Sequence, residues 1–110
     1  MREPSATSRN TLSLGFGAPL GIQSVGPNPS RGPSRISFTL GRVEPVQLGV
    51  FDARGRQVAD LVGTRAFNAG PQTVTWDGRA DAGGLAPPGM YFVRLRTSEG
   101  EWNQAVIRLR

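Results

Sequence analysis

An all-β fold is what the sequence predicts, and three observations carry that prediction. The 15 Gly and 9 Pro together exceed a fifth of the 110 residues, while hydrophobic residues are held to 37%. That balance suits short strands joined by turns better than helices. Apolar residues recur at every second position in several separate segments, which is the period of a half-buried strand. Clusters of Asp, Asn, Gly and Pro break those segments at roughly ten-residue intervals, as turns between strands do.

The elements follow in order. Residues 1–19 show no sustained periodicity and many small or polar side chains, which predicts a disordered leader or linker ahead of a domain over residues 20–110. Leu20, Ile22 and Val25 give a first strand, stopped by Gly26, Pro27, Asn28 and Pro29, where two prolines remove backbone donors. Ile36, Phe38 and Leu40 alternate with Ser37 and Thr39 in a second strand. Val46, Leu48 and Val50 form a third that runs into Phe51. Asp52 to Gly55 is a turn with a mechanism: Asp bonds the backbone two residues on, and Gly accepts positive φ. Val58 and Leu61 lie on the returning strand, so residues 46–62 read as a hairpin. Val74 and Trp76 share one face of the next strand, and the Gly- and Pro-rich stretch from Asp77 to Gly89 is a loop opened by the Asp77-Gly78 turn.

The final pair alternates most clearly. Tyr91, Val93 and Leu95 precede a Ser98-Glu99-Gly100 turn, and Ala105, Ile107 and Leu109 follow it. Pairing Val93 with Ala105, Tyr91 with Ile107 and Arg96 with Trp102 would send odd-numbered residues to the core. Phe92, Arg94, Arg96, Trp102, Val106 and Arg108 would then line the outward face, with Arg96 stacked over Trp102. About seven short strands with this patterning predict an immunoglobulin-like antiparallel β-sandwich, with no disulfide because the chain has no Cys.

The inventory of side chains excludes much chemistry. With no Cys and no His there is no thiolate nucleophile, zinc finger or imidazole-based triad. All 13 basic residues are Arg, so Schiff-base and P-loop lysine mechanisms are absent too. Asp77 and Asp81, four apart in the Gly-rich loop, invite a calcium reading. The third position, where such a loop needs an oxygen ligand, holds Arg79, so the pair reads as turn chemistry. Neither Gly55-Arg56 nor Gly83-Gly84 precedes a helix pattern or a Lys, so neither reads as a phosphate cradle. Trp76 and Tyr91 read as core aromatics; a carbohydrate-binding sandwich would need them exposed. No catalytic residue, cofactor or metal is expected.

The net charge of +5 raises an anionic partner. The outward Arg stripe reads first as a solvated face that discourages edge pairing, and second as a contact for such a partner. Nucleic acid is not expected, because the aromatic signatures of β-sheet nucleic-acid binders are missing.

The spacing of the turns carries a resemblance. The run includes Asn28-Pro29 leading into Ile36-Ser37-Phe38, then Val50-Phe51-Asp52-x-x-Gly55-Arg56-x-Val58-x-x-Leu61. It continues with Ala69-Gly70, Val74-x-Trp76-Asp77-Gly78 and Pro88-Gly89-x-Tyr91-Phe92, before an apolar strand ending in Leu109-Arg110. Over residues 20–110 it resembles two related families: the type A C-terminal sorting domain of type IX secretion (the Por system), and the immunoglobulin-like domain of the flagellar hook-capping protein.

The first resemblance implies a non-enzymatic module that folds in the periplasm and is recognised by outer-membrane secretion machinery. A sortase-like peptidase would then remove it and attach its cargo to anionic lipopolysaccharide at the cell surface. By position, Gly89 and Tyr91 match that family's Gly-x-Tyr element, and Leu109 and Arg110 its apolar and basic end. Many members carry a Lys before the last apolar run, where this chain has Gln104 and Ala105. The second resemblance implies an assembly scaffold. The end of the chain at the last strand favours the sorting domain. The short leader holds neither an export signal nor a cargo domain, so the chain reads as a fragment of a longer secreted protein.

Overall fold

Among the described residues alternation becomes pairing in nine strands: β1 (Gly21–Gly26), β2 (Ser34–Leu40), β3 (Glu44–Pro45), β4 (Gln47–Asp52), β5 (Gln57–Asp60), β6 (Ala66–Phe67), β7 (Gly70–Trp76), β8 (Gly89–Thr97) and β9 (Gly100–Arg108). This computed structural model describes residues 19–110, so the expected leader over residues 1–19 lies outside the described residues except for Pro19. Three antiparallel sheets result, ordered β1-β2-β7, β3-β6 and β5-β4-β8-β9. The architecture is the immunoglobulin-like β-sandwich that the patterning predicts.

Its core is the sum of the alternating sets. Ile36, Phe38 and Leu40 of β2, Leu48 and Val50 of β4, and Val93 and Leu95 of β8 are all buried. Each such side chain stabilises the fold by about 1.5–3 kcal/mol relative to exposure. Phe38 meets Phe67 edge to face at 5.6 Å, which brings the small β3-β6 ladder onto the main core. That ladder escapes any periodicity test, since two residues cannot display a period of two.

The β8-β9 hairpin departs from the expected register. Thr97 pairs with Gly100, which leaves a two-residue loop of Ser98 and Glu99 where a three-residue turn is expected. Every pair moves by one: Tyr91 faces Val106, Val93 faces Gln104, Leu95 faces Trp102 and Arg96 faces Glu101. A one-residue slip exchanges the faces of a strand. On β8 the odd residues Tyr91, Val93 and Leu95 do point inward, but on β9 the even residues Val106 and Arg108 are buried and Ile107 is 41% exposed.

Polar groups from distant loops cover two of the sheet edges. On β9, Ile107 N–H donates to Asn28 Oδ1 (2.9 Å), Ser30 N–H donates to the Ile107 carbonyl (2.8 Å), and Leu109 N–H donates to the Ser30 carbonyl (2.8 Å). On β5, Asp60 N–H donates to Asp81 Oδ2 (2.8 Å) and Asp81 N–H donates to the Val58 carbonyl (2.9 Å). Covered edges cannot recruit stray strands.

The β9 register makes a direct prediction. Val106→Ala should cost about 2 kcal/mol in urea denaturation, whereas Ile107→Ala should cost under about 1 kcal/mol. The reverse order would restore the register read from sequence.

Candidate functional site

Two regions gather the residues singled out by sequence. The first is the end of the sandwich where β7, β8 and β9 meet. Trp76 closes β7 and is 1% exposed. Its indole N–H donates to the Arg79 carbonyl (2.9 Å), while Arg79 N–H donates to Asp77 Oδ1 (2.9 Å), so the Trp76-Asp77-Gly78 turn is tied on both sides. The Trp76 ring meets Tyr91 edge to face at 5.7 Å. Tyr91 in turn donates its phenol proton to the Pro87 carbonyl (2.6 Å), an arrangement like the tyrosine corner of immunoglobulin folds. Burial pushes the Tyr91 phenol above its ordinary pKa.

Arg108 completes this cluster. It is 4% exposed, its guanidinium lies 5.0 Å from the Trp76 ring centroid, and one terminal nitrogen donates to the Gly32 carbonyl (3.0 Å). Its Nε has no hydrogen-bond partner. The site is tight because Gly78 takes φ +85° and a Cβ there would sit 2.6 Å from the guanidinium. Gly89, at the start of β8, pairs with Arg108, while Leu109 is half-buried and Arg110 exposed beside them.

The second region is the outer face of the four-stranded sheet. The expected stripe of Phe92, Arg94, Arg96, Trp102 and Arg108 is divided here, and the register slip is the reason. Phe92, Arg94 and Arg96 stay outward, whereas Trp102 packs its indole onto Gly21 of β1 and Arg108 is buried against Trp76. The expected Arg96-Trp102 stack is replaced by other pairs. Arg96 donates from Nε (3.1 Å) and a terminal nitrogen (3.0 Å) to Glu101 Oε1, and Arg94 stacks on Phe51 at 4.1 Å. Between β5 and β8 a trough of 370 Å³ runs over Gln47, Gly49 and Phe51, with Gln57 and Asp60 on one side and Arg94 and Arg96 on the other.

The carboxylates serve turns. Asp52 Oδ1 accepts the Arg54 (2.9 Å) and Arg56 (3.0 Å) N–H groups, its Oδ2 accepts Arg56 Nε (3.1 Å), and Gly55 N–H closes the turn on the Asp52 carbonyl (2.9 Å). Asp77 and Asp81 do not converge: one holds its own turn and the other covers β5. Among the described residues no group of three His, Cys, Asp or Glu side chains could hold a metal. Glu44, buried at 7% exposure, accepts Ser98 N–H (2.8 Å) and so ties β3 to the β8-β9 turn. Nothing in the local pattern announces this role, because its partner lies 54 residues away.

These bonds set the pH dependence. Ser98 hydrogen bonds hold the Glu44 carboxyl below the usual range, the Arg56 and Arg54 backbone N–H groups do so for Asp52, and Arg96 and Asn103 do so for Glu101. In the unfolded chain such groups titrate at about 4. The folded state therefore binds fewer protons, so stability is full above the unfolded pKa values and is lost as pH falls through the depressed folded ones. The urea midpoint should stay level from about pH 8 to about pH 6 and fall by about pH 3, and Glu44→Gln should flatten part of that fall. A midpoint unchanged at the acid end would contradict the assignment. Gly78→Ala should cost about 1–3 kcal/mol at neutral pH, from the positive φ and the crowding of Arg108.

Comparison with known proteins bears on this geometry. Residues 27–101 match the family model of the FlgD Ig-like domain. Among solved structures, the chain is similar to dimeric latent PorU from Porphyromonas gingivalis, with a TM-score of 0.65 and 21% identity over 84% of this chain and 10% of that one. It is also similar to FLGD from P. aeruginosa, with a TM-score of 0.49 and 22% identity over 68% of this chain and 58% of that one. The chain thus spans a small part of the first and somewhat over half of the second. No curated protein matches it.

Proposed function

Because the chain belongs to the FlgD Ig-like domain family, we propose that it acts as a folded recognition module with no catalytic role: a C-terminal sorting and attachment domain of a type IX secreted protein. It is read by the outer-membrane secretion machinery, with a sortase-like peptidase and anionic lipopolysaccharide as the following partners, and it works at the cell surface after passage through the periplasm. The observation that carries this reading is the packing of the motif residues into one body. Trp76 meets Tyr91 edge to face and carries the Arg108 guanidinium over its ring, and the Tyr91 phenol locks onto Pro87. That cluster anchors the last strand through Arg108, and Arg110, two residues beyond the strand, is exposed. A last strand anchored in this way beside a hydrogen-bonded loop suits recognition by shape, since contacts already made reduce the ordering needed on binding.

A second reading is the hook-capping scaffold, favoured by the family that residues 27–101 match. There the same anchored end and its Gly-rich loop would shape a contact between subunits.

A fusion of residues 20–110 behind a signal peptide and a fluorescent reporter, expressed in a host with a type IX system, separates the two. The sorting reading expects most reporter outside the cell or on its surface, and a marked loss when Leu109 and Arg110 are deleted. Reporter held in the periplasm would overturn it. The scaffold reading expects that periplasmic result, together with restored hook assembly when the domain replaces the matching part of a hook-capping protein.

A further inference from the structure

The sorting and scaffold readings leave the outer trough unused. Gly49 stands between Gln47 and Phe51 on the outward row of β4, and the Phe51 ring edge and the Gln57 amide close over it to make the floor, 3.2 and 3.4 Å from where a Cβ would sit. At strand spacing that row is about 13 Å long, enough for an extended segment of four or five residues. The two walls differ in charge. On the β5 side, Asp60 Oδ1 accepts the Val62 (3.3 Å) and Gly63 (2.9 Å) N–H groups, so this carboxylate is engaged in its own turn. On the β8 side, two guanidiniums share one carboxylate: Arg96 bonds Glu101 Oε1 at 3.0 Å, and Arg94 Nε lies 3.7 Å from Glu101 Oε2. Arg94 Nε also donates to Asn103 Oδ1 (3.4 Å), and with five N–H donors on each guanidinium these two acceptors still leave capacity for another carboxylate. The shared Glu101 sits on the edge strand with its side chain 41% exposed, where solvent or a ligand can take its place.

We infer that the trough binds an extended acidic peptide segment, whose side-chain carboxylate joins or replaces Glu101 on Arg94 and Arg96. Charge complementarity with the β8 wall selects the acid, and the Asp60 wall sets its direction across the trough. The amides of Gln47 and Gln57 each offer a donor and an acceptor, the pair that a peptide group requires. An acidic sugar fits less well, because the Phe51 ring that would support it lies under the Arg94 guanidinium at 4.1 Å. This site lies apart from the Trp76 end and stands whether or not the chain is a sorting domain.

Fluorescence anisotropy on the full chain tests it without any secretion assay. The probe is a labelled pentapeptide of alternating serine and glutamate, compared with its glutamine counterpart and with tetragalacturonate. At low ionic strength the glutamate peptide should bind at least about fivefold tighter than either comparison ligand. Glu101→Gln should tighten binding severalfold by removing the competing charge from both guanidiniums. Glu99→Gln, which changes net charge equally but sits in the hairpin loop, should not. Arg96→Ala should weaken binding at least about fivefold, and Arg35→Ala, on the other sheet, should leave it unchanged. Equal effects of the two glutamate changes, equal effects of the two arginine changes, or preference for the glutamine peptide or the sugar would overturn the assignment.

Discussion

Trp76 is the point on which the rest of this sandwich turns. It ends β7 in one sheet, yet its ring contacts Tyr91 of β8 and Arg108 of β9 in the other, while its indole N–H fixes the loop that follows. Each contact would be modest alone. An aromatic pair adds about 0.5–1.5 kcal/mol beyond burial, and a desolvated cation–π contact up to about 2 kcal/mol. Their joint effect is geometric. With Trp76 in place, the Gly-rich loop must return past Gly78, where Ala86 N–H donates to the Gly78 carbonyl (2.8 Å), and the chain then enters β8 with Tyr91 already anchored on Pro87. Loop, corner and last strand share one support.

Much of this was legible in the chain as written, and what was not has physical reasons. Long alternating segments such as Ile36-Phe38-Leu40 and Tyr91-Val93-Leu95 declare their inner face, because burial of one face is what selects that pattern. The turn at Asp52 is equally plain, since its hydrogen bonds reach only two to four residues along the chain. The register of β9 was not. Ala105, Ile107 and Leu109 present as good an apolar alternation as Trp102 and Val106, so the pattern alone leaves two solutions one residue apart. Loop length decides between them, and a two-residue loop at Ser98-Glu99 commits the even set to the core. Arg108 then goes inside. A reading that places charge outward by default has no means of finding it.

The polar contacts that sequence could not supply are those made over long separations. Asn28 and Ser30 bond the edge of β9 from 77 to 79 residues away, and Glu44 holds the hairpin loop from 54. Such groups look ordinary in their local sequence, and their role exists only once the topology has brought edges together. Backbone groups at two edges of the sandwich are met by side chains and loops of the same chain, which removes the cost of leaving them unpaired and the hazard of leaving them available.

The composition that excluded so much chemistry has a structural counterpart. Among the described residues three arginines stack on aromatic faces: Arg65 on Phe67 at 4.5 Å, Arg94 on Phe51 at 4.1 Å and Arg108 on Trp76 at 5.0 Å. A guanidinium is planar and weakly hydrated, so it can lie flat on a ring and still direct N–H groups sideways to a carbonyl or carboxylate. A lysine ammonium in the place of Arg108 would need its hydration shell or a full set of acceptors, and the buried site provides one carbonyl. In the place of Arg94 it would cover less of Phe51 and could not aim a rigid fork at Glu101. The same side-chain type therefore does opposite work on the two faces of one sheet. Inside, it fills a gap between sheets as a flat plate over Trp76; outside, two guanidiniums hold the Glu101 carboxylate in common along the wall of the trough.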